Sequence, residues 1–105
     1  MVIKETTVFS RQVEKLLDAE SYRLLQLRLV QDPGAGALIQ GTAGLRKIRW
    51  QGSGRGKRGG VRAIYYWATS QGEILMLLMY PKSERDDLSA EQKKVLVALV
   101  KEEFK

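Results

Sequence analysis

With 105 residues, 44% of them hydrophobic and 29% charged, the chain has the length and balance of a single domain, 1–105, with no room for a second core. It contains no cysteine and no histidine, which excludes a disulfide scaffold, thiolate metal sites, the usual zinc ligands, serine–histidine triads and two-histidine ribonuclease chemistry. Its formal charge of +6 is local, since residues 46–62 hold seven cations and no acid while the remainder holds 11 basic and 12 acidic residues.

Residues 2–8, with Val2, Ile3, Thr6, Thr7 and Val8, have the β-branched character of an opening strand. Phe9, Val13, Leu16 and Leu17 then fall at helical spacing, with Ser10 as the cap. A second helix is expected over 19–30, started by Asp18 or Ser21, with Leu24, Leu25, Arg28 and Leu29 on its inner stripe. Gln31-Asp32-Pro33-Gly34 ends it, because proline lacks the amide donor a continuing helix needs. So little lies between these helices that an antiparallel hairpin is expected.

The period then changes. Residues 45–50, 61–68 and 73–80 read as strands, the last two joined by a turn at Ser70-Gln71-Gly72 and the first two by the loop 51–60. Residues 74–79 are apolar at every position, which predicts a central strand buried on both faces. On the strand 45–50, Ile48 and Trp50 point to one side and Lys47 and Arg49 to the other, and the Ile48 side is taken as the core. Ser89 with Gln92 three residues on has capping-box spacing. The helix it opens carries a stripe of Val95, Leu96, Leu99, Val100 and Phe104, suited to the core or to a partner.

The cations of 46–62 are Arg46, Lys47, Arg49, Arg55, Lys57, Arg58 and Arg62. Like charges this crowded repel unless a polyanion offsets them, so an anionic partner is expected, RNA above all. Two nucleotide motifs fail in the loop. Gly54-Arg55-Gly56-Lys57-Arg58-Gly59 spells G-x-G-x-x-G, but a strand follows where a dinucleotide fold needs a helix. The run from Gly52 to Lys57 is one residue short of a phosphate-binding loop and lacks its serine or threonine. A glycine-rich loop with three cations suits an irregular RNA backbone instead. No run approaches the roughly 18 apolar residues of a membrane span. The N-terminus lacks a signal-peptide pattern, so the chain is expected to be cytoplasmic.

Gly44-Leu45-Arg46-Lys47-Ile48-Arg49, then Gly60-Val61-Arg62-Ala63-Ile64-Tyr65-Tyr66, then Leu77-Leu78-Met79-Tyr80-Pro81-Lys82-Ser83-Glu84 make the chain resemble the RelE-like toxins of bacterial type II toxin–antitoxin modules, most of all the HigB type. The resemblance implies an α+β fold: an N-terminal strand and α-hairpin, an antiparallel sheet of three to four strands, and a C-terminal helix. It implies a ribosome-dependent mRNA interferase that uses no metal or other cofactor. The ribose 2′-OH attacks the neighbouring phosphate in the ribosomal A site, leaving a 2′,3′-cyclic phosphate and a 5′-OH. The implied partners are an antitoxin protein, the ribosome and mRNA.

Without histidine, the base, the acid and the phosphate clamp fall to Lys, Arg, Tyr or Glu. The resemblance makes Arg62 the phosphate clamp. Lys47 and Arg49 match the basic pair of the preceding strand and share that task, or a lysine crowded by cations serves as base. Lys82 is expected on the same concave surface with Tyr80 and Glu84 nearby, Glu84 acting as base or orienting Lys82. Arg46, Arg55, Lys57 and Arg58 are expected to grip RNA. Ser83 stands where the family has an arginine, and no tyrosine follows Tyr80. The alternatives are a non-catalytic RNA- or ribosome-binding module, and a RelE-like toxin with another target such as gyrase.

Overall fold

In the computed structural model, which describes residues 1–52 and 60–105, the chain runs β1 (Val2–Glu5), α1 (Thr7–Leu16), α2 (Ala19–Gln31), β2 (Ala37–Leu38), β3 (Leu45–Trp50), β4 (Val61–Ala68), β5 (Glu73–Pro81) and α3 (Ala90–Glu103). The strands form one sheet in the order β1-β5-β4-β3-β2. The α+β class and the order of the main elements are as expected. The sheet, however, has five strands: β1 joins β5 in parallel, and the two-residue β2 pairs with β3 where no strand was expected. A parallel partner for β5 is possible because α1 and α2 carry the chain away from the sheet before it returns at the far edge.

The first strand is shorter than its composition suggested. Thr6 is the N-cap of α1, its hydroxyl accepting from the Phe9 amide at 3.0 Å. Ser10 therefore lies inside the helix, donating to Glu5 at 2.6 Å. The Thr6 hydroxyl also donates to the Leu77 carbonyl at 3.0 Å, tying the cap to the sheet. Asp18 caps α2, accepting from the Ser21 amide at 2.7 Å. On α2 the buried stripe narrows to Leu25 and Leu29, while Leu24 is 43% exposed. The predicted capping box at Ser89 and Gln92 opens α3.

Each face of the sheet has its own apolar core. Phe9, Val13, Leu16, Leu17, Leu25 and Leu29 pack on one face, over Ile48, Ala63, Tyr65, Met76 and Met79. Leu88, Leu96 and Val100 pack on the other, over Leu45, Ile64, Leu75, Leu77 and Tyr80. The continuous apolar run of β5 thus serves both faces, as predicted.

Between β4 and β5 the register slips. Ile64 pairs with Leu78 but Tyr65 pairs with Met76, so Leu77 is the extra residue of a β-bulge. A one-residue insertion reverses the facing of everything beyond it. Ile74 and Met76 belong to the α1–α2 face, and without the slip Tyr80 would share it. With the slip, Tyr80 joins the α3 face instead. The bulge is held by the Thr6 amide on the Met76 carbonyl at 3.0 Å and by the Thr6 hydroxyl on Leu77. Thr6→Ala should therefore lower unfolding stability by about 1–2 kcal/mol in a denaturant titration, since it removes a cap and a second hydrogen bond together. A loss within error of zero would show that neither bond matters.

Candidate functional site

At one end of the sheet the close of β3, the start of β4 and the close of β5 lie side by side. Cross-strand pairing sets Arg49 opposite Arg62 and Arg62 opposite Tyr80. Directly paired residues share a face, and Lys47, two residues before Arg49, shares it as well. Lys47, Arg49, Arg62 and Tyr80 therefore stand together on the α3 side of the sheet. The segment 82–89 crosses over them on its way to α3, with Leu88 buried beneath it.

Arg62 is the innermost. It is 3% exposed, and a guanidinium so deeply placed needs partners, because an unpaired buried charge is strongly disfavoured. Its Nε donates to Asp86 Oδ1 at 3.1 Å and another guanidinium nitrogen donates to the Val61 carbonyl at 3.3 Å. Lys47 is half-buried. Its Nζ donates to Asp87 Oδ1 at 2.7 Å and to the Asp86 carbonyl at 3.1 Å. The Tyr80 hydroxyl donates to that same carbonyl at 3.2 Å. Three of the expected catalytic side chains thus converge on two consecutive residues, Asp86 and Asp87.

The electrostatics follow this arrangement. The hydrogen bond and charge of Lys47 hold the Asp87 carboxyl below its ordinary value, with smaller help from Lys93 and Arg49. Tyr80 is shifted upward, chiefly by burial and then by the charges of Asp87 and Asp86, against the pull of Arg62 and Arg85. Its phenol is consequently a proton donor at neutral pH and not a base. Burial likewise raises Tyr65 and Tyr22. In a tyrosinate absorbance titration these three should ionise above 10.0, the ordinary phenol value, with Tyr80→Phe removing one of the late transitions. Because the folded-state values are raised, the stability gained by keeping these phenols neutral is complete below 10.0 and is lost as the pH rises beyond it through the folded-state values. Ionisation of all tyrosines together near the ordinary value would contradict this.

The other expected residues are placed differently. Arg49 is exposed beside Arg62, close enough to Asp87 to influence its charge. Lys82 and Glu84 are exposed in the turn after β5, where the Lys82 amide donates to the Gly60 carbonyl at 3.1 Å and the Glu84 amide to the Pro81 carbonyl at 3.0 Å. Among the described residues neither side chain is drawn into the cluster. Arg46 pairs with Tyr65 and so lies on the opposite face, where its guanidinium donates to the Gly34 and Gly36 carbonyls at 3.2 and 2.8 Å. Arg55, Lys57 and Arg58, expected to grip RNA, lie outside the described residues.

Tyr65 is fully buried, donating to the Pro33 carbonyl at 2.7 Å and accepting from the Gly36 amide at 2.9 Å, and is a core residue. Tyr66 packs on Phe104 with ring centroids 5.6 Å apart. Sequence reasoning missed Asp86 and Asp87. Their signal was faint: two adjacent acids just before Leu88-Ser89, indistinguishable by type from acids on any solvated turn. It also missed Arg85, whose guanidinium donates to the Gln92 side chain of the capping box.

No protein-family model matches the chain. Among solved structures it is similar to the Escherichia coli toxin RelE, an arginine-to-alanine double mutant in the free state, with a TM-score of 0.59 and 12% identity over 80% of this chain and 85% of that one. At that identity the likeness establishes the fold: this chain has the RelE-like fold.

Proposed function

We propose that the chain is the toxin of a type II toxin–antitoxin pair, a metal-independent mRNA interferase of the HigB type that cuts translated message in the ribosomal A site. The observation that carries this reading is the convergence of Arg62, Lys47 and Tyr80 at one end of a RelE-like sheet. The arrangement supplies two cations for a phosphate and one neutral phenol as proton donor.

In the proposed reaction the 2′-OH attacks the adjacent phosphorus, and the bond from phosphorus to the 5′ oxygen breaks. The Arg62 fork grips two phosphate oxygens, and Lys47 neutralises the charge gathering on them. Tyr80 gives its proton to the departing 5′ oxygen. Lys82, Glu84 and Arg49 are assigned to the rim, Glu84 as the carboxylate available to take the 2′ proton. Lys57, Arg55, Arg58 and Arg46 remain candidates for ribosomal RNA contact.

An apolar groove of about 280 Å3 between the start of α1 and α3, lined by Val8, Leu78, Val95 and Leu99, supports an antitoxin segment as the natural cover for the last helix. The exposed position of Glu84, which leaves the proposed base outside the cluster, favours the alternative, a non-catalytic RNA-binding module, which predicts salt-dependent binding without cleavage.

Mapping mRNA 5′ ends after brief induction separates the two. Codon-phased new ends that vanish with Arg62→Ala support the nuclease. Intact message and normal growth in cells holding folded protein overturn it, and DNA damage signalling instead would point to a gyrase-type target.

A further inference from the structure

Each of the three side chains assigned above to the phosphate or its leaving oxygen directs a donor at an oxygen of Asp86 or Asp87. The Arg62 Nε faces the Asp86 carboxylate at 3.1 Å, and the Lys47 Nζ faces the Asp87 carboxylate at 2.7 Å. The Asp86 carbonyl takes the second Lys47 bond and the Tyr80 hydroxyl. A carboxylate on a guanidinium and another on an ammonium reproduce the negative charge and the acceptor role of phosphate oxygens.

We infer that Asp86 and Asp87 are an internal substitute for the RNA phosphates, so that the segment 82–89 keeps the cationic site self-occupied and RNA enters by displacing it. This rests on the phosphate-binding role proposed for Arg62 and Lys47, but not on the cut.

The two sides of the contact differ in freedom. The Arg62 side chain is 4% exposed and the Lys47 side chain 17%, whereas those of Asp86 and Asp87 are 48% and 80% exposed. The cations are fixed in the sheet, and the anions stand toward solvent. Residues 82–89 form turns and bends with no strand or helix, so they can swing aside without breaking the β-ladder. Leu88 in the core and the Ser89 cap anchor the far end of the segment, which limits the movement to the acids themselves. A tethered anion competes at high effective concentration, and the apparent affinity for RNA falls by the fraction of molecules in the open state.

The test is fluorescence anisotropy with a short 2′-O-methyl RNA, which cannot be cut because its nucleophile is blocked. Wild type is compared with Asp87→Asn, Asp86→Asn and the double variant. A Glu14→Gln/Glu103→Gln protein removes the same charge from exposed positions on α1 and α3. Asparagine keeps an oxygen for Arg62, and both backbone carbonyls remain.

At about 0.1 M salt the expected gain in affinity is about threefold for Asp87→Asn and about tenfold for the double variant, against less than about twofold for the remote control. The slope of log K against log salt should steepen by about one phosphate per acid removed. Gains no larger than the control's, or no binding by any protein, overturn the inference. Asp87 is exposed, so its variant reports even where Asp86→Asn lowers the melting temperature. Cleavage of message judges the proposed reaction separately: a gain in binding without any cutting leaves the internal substitute standing and removes the nuclease.

Discussion

Arg62→Ala should reduce the proposed mRNA cleavage by about a hundred- to a thousandfold, the range found when a preorganised donor to a developing oxyanion is removed. The side chain is held in the sheet before substrate arrives, 3% exposed and with a guanidinium nitrogen on the Val61 carbonyl, a placement that remains once Asp86 has given way. Little reorganisation is then needed at the moment of attack. The substitution also removes one half of a partly buried ion pair, so about 2 kcal/mol of stability should go with it. Arg62→Lys separates the two effects. It keeps the charge in the sheet but not the planar fork, and should lose about tenfold in rate with a smaller drop in melting temperature. If Arg62→Ala cleaves as fast as wild type while folded, the clamp is elsewhere.

Gly60→Ala should be the most damaging single methyl in the described part of the chain. Gly60 has φ +70°, a left-handed conformation that costs a residue with a Cβ about 1–2 kcal/mol. Space is also lacking, because that Cβ would collide with the Trp50 backbone carbonyl. Strain and collision together should cost about 3 kcal/mol, or roughly 15 °C in melting temperature for a domain of this size. The Gly60 carbonyl accepts from the Lys82 amide at 3.1 Å, which brings the start of β4 and the end of β5 together two residues before Arg62. Cleavage should accordingly fall with stability. Gly72 offers the contrasting case: its φ is +64°, yet nothing lies within 4 Å of the added Cβ, so Gly72→Ala should show the conformational penalty alone. Equal melting temperatures for the two variants would remove the role given to the Trp50 contact.

Much of this fold is legible residue by residue. The capping box at Ser89, the stop at Pro33, the turn at Gly72 and the doubly buried run 74–79 all follow from local chemistry. The errors arise where local signals tie. Thr6 and Thr7 suit a strand as well as a cap, and only the amide of Phe9 and the carbonyl of Leu77 decide in favour of the cap. Leu24 and Leu25 are equally apolar, and only the position of the sheet decides that Leu25 is covered.

The sequence alone established the class of fold, the concentration of charge at 46–62, and the pairing of Lys47 with Arg49 on one side of a strand, because alternation and charge counts are properties of neighbours along the chain. The tertiary structure decided the rest of the site. A run of identical apolar character carries no mark of register, so only the bulge at Leu77 shows that Tyr80 turns to the face of Arg62. Nor can composition show that the acids answering the basic stretch come from 86–87, because Lys47 and Asp87 are 40 residues apart and are joined only by the packing of the 82–89 segment across the sheet.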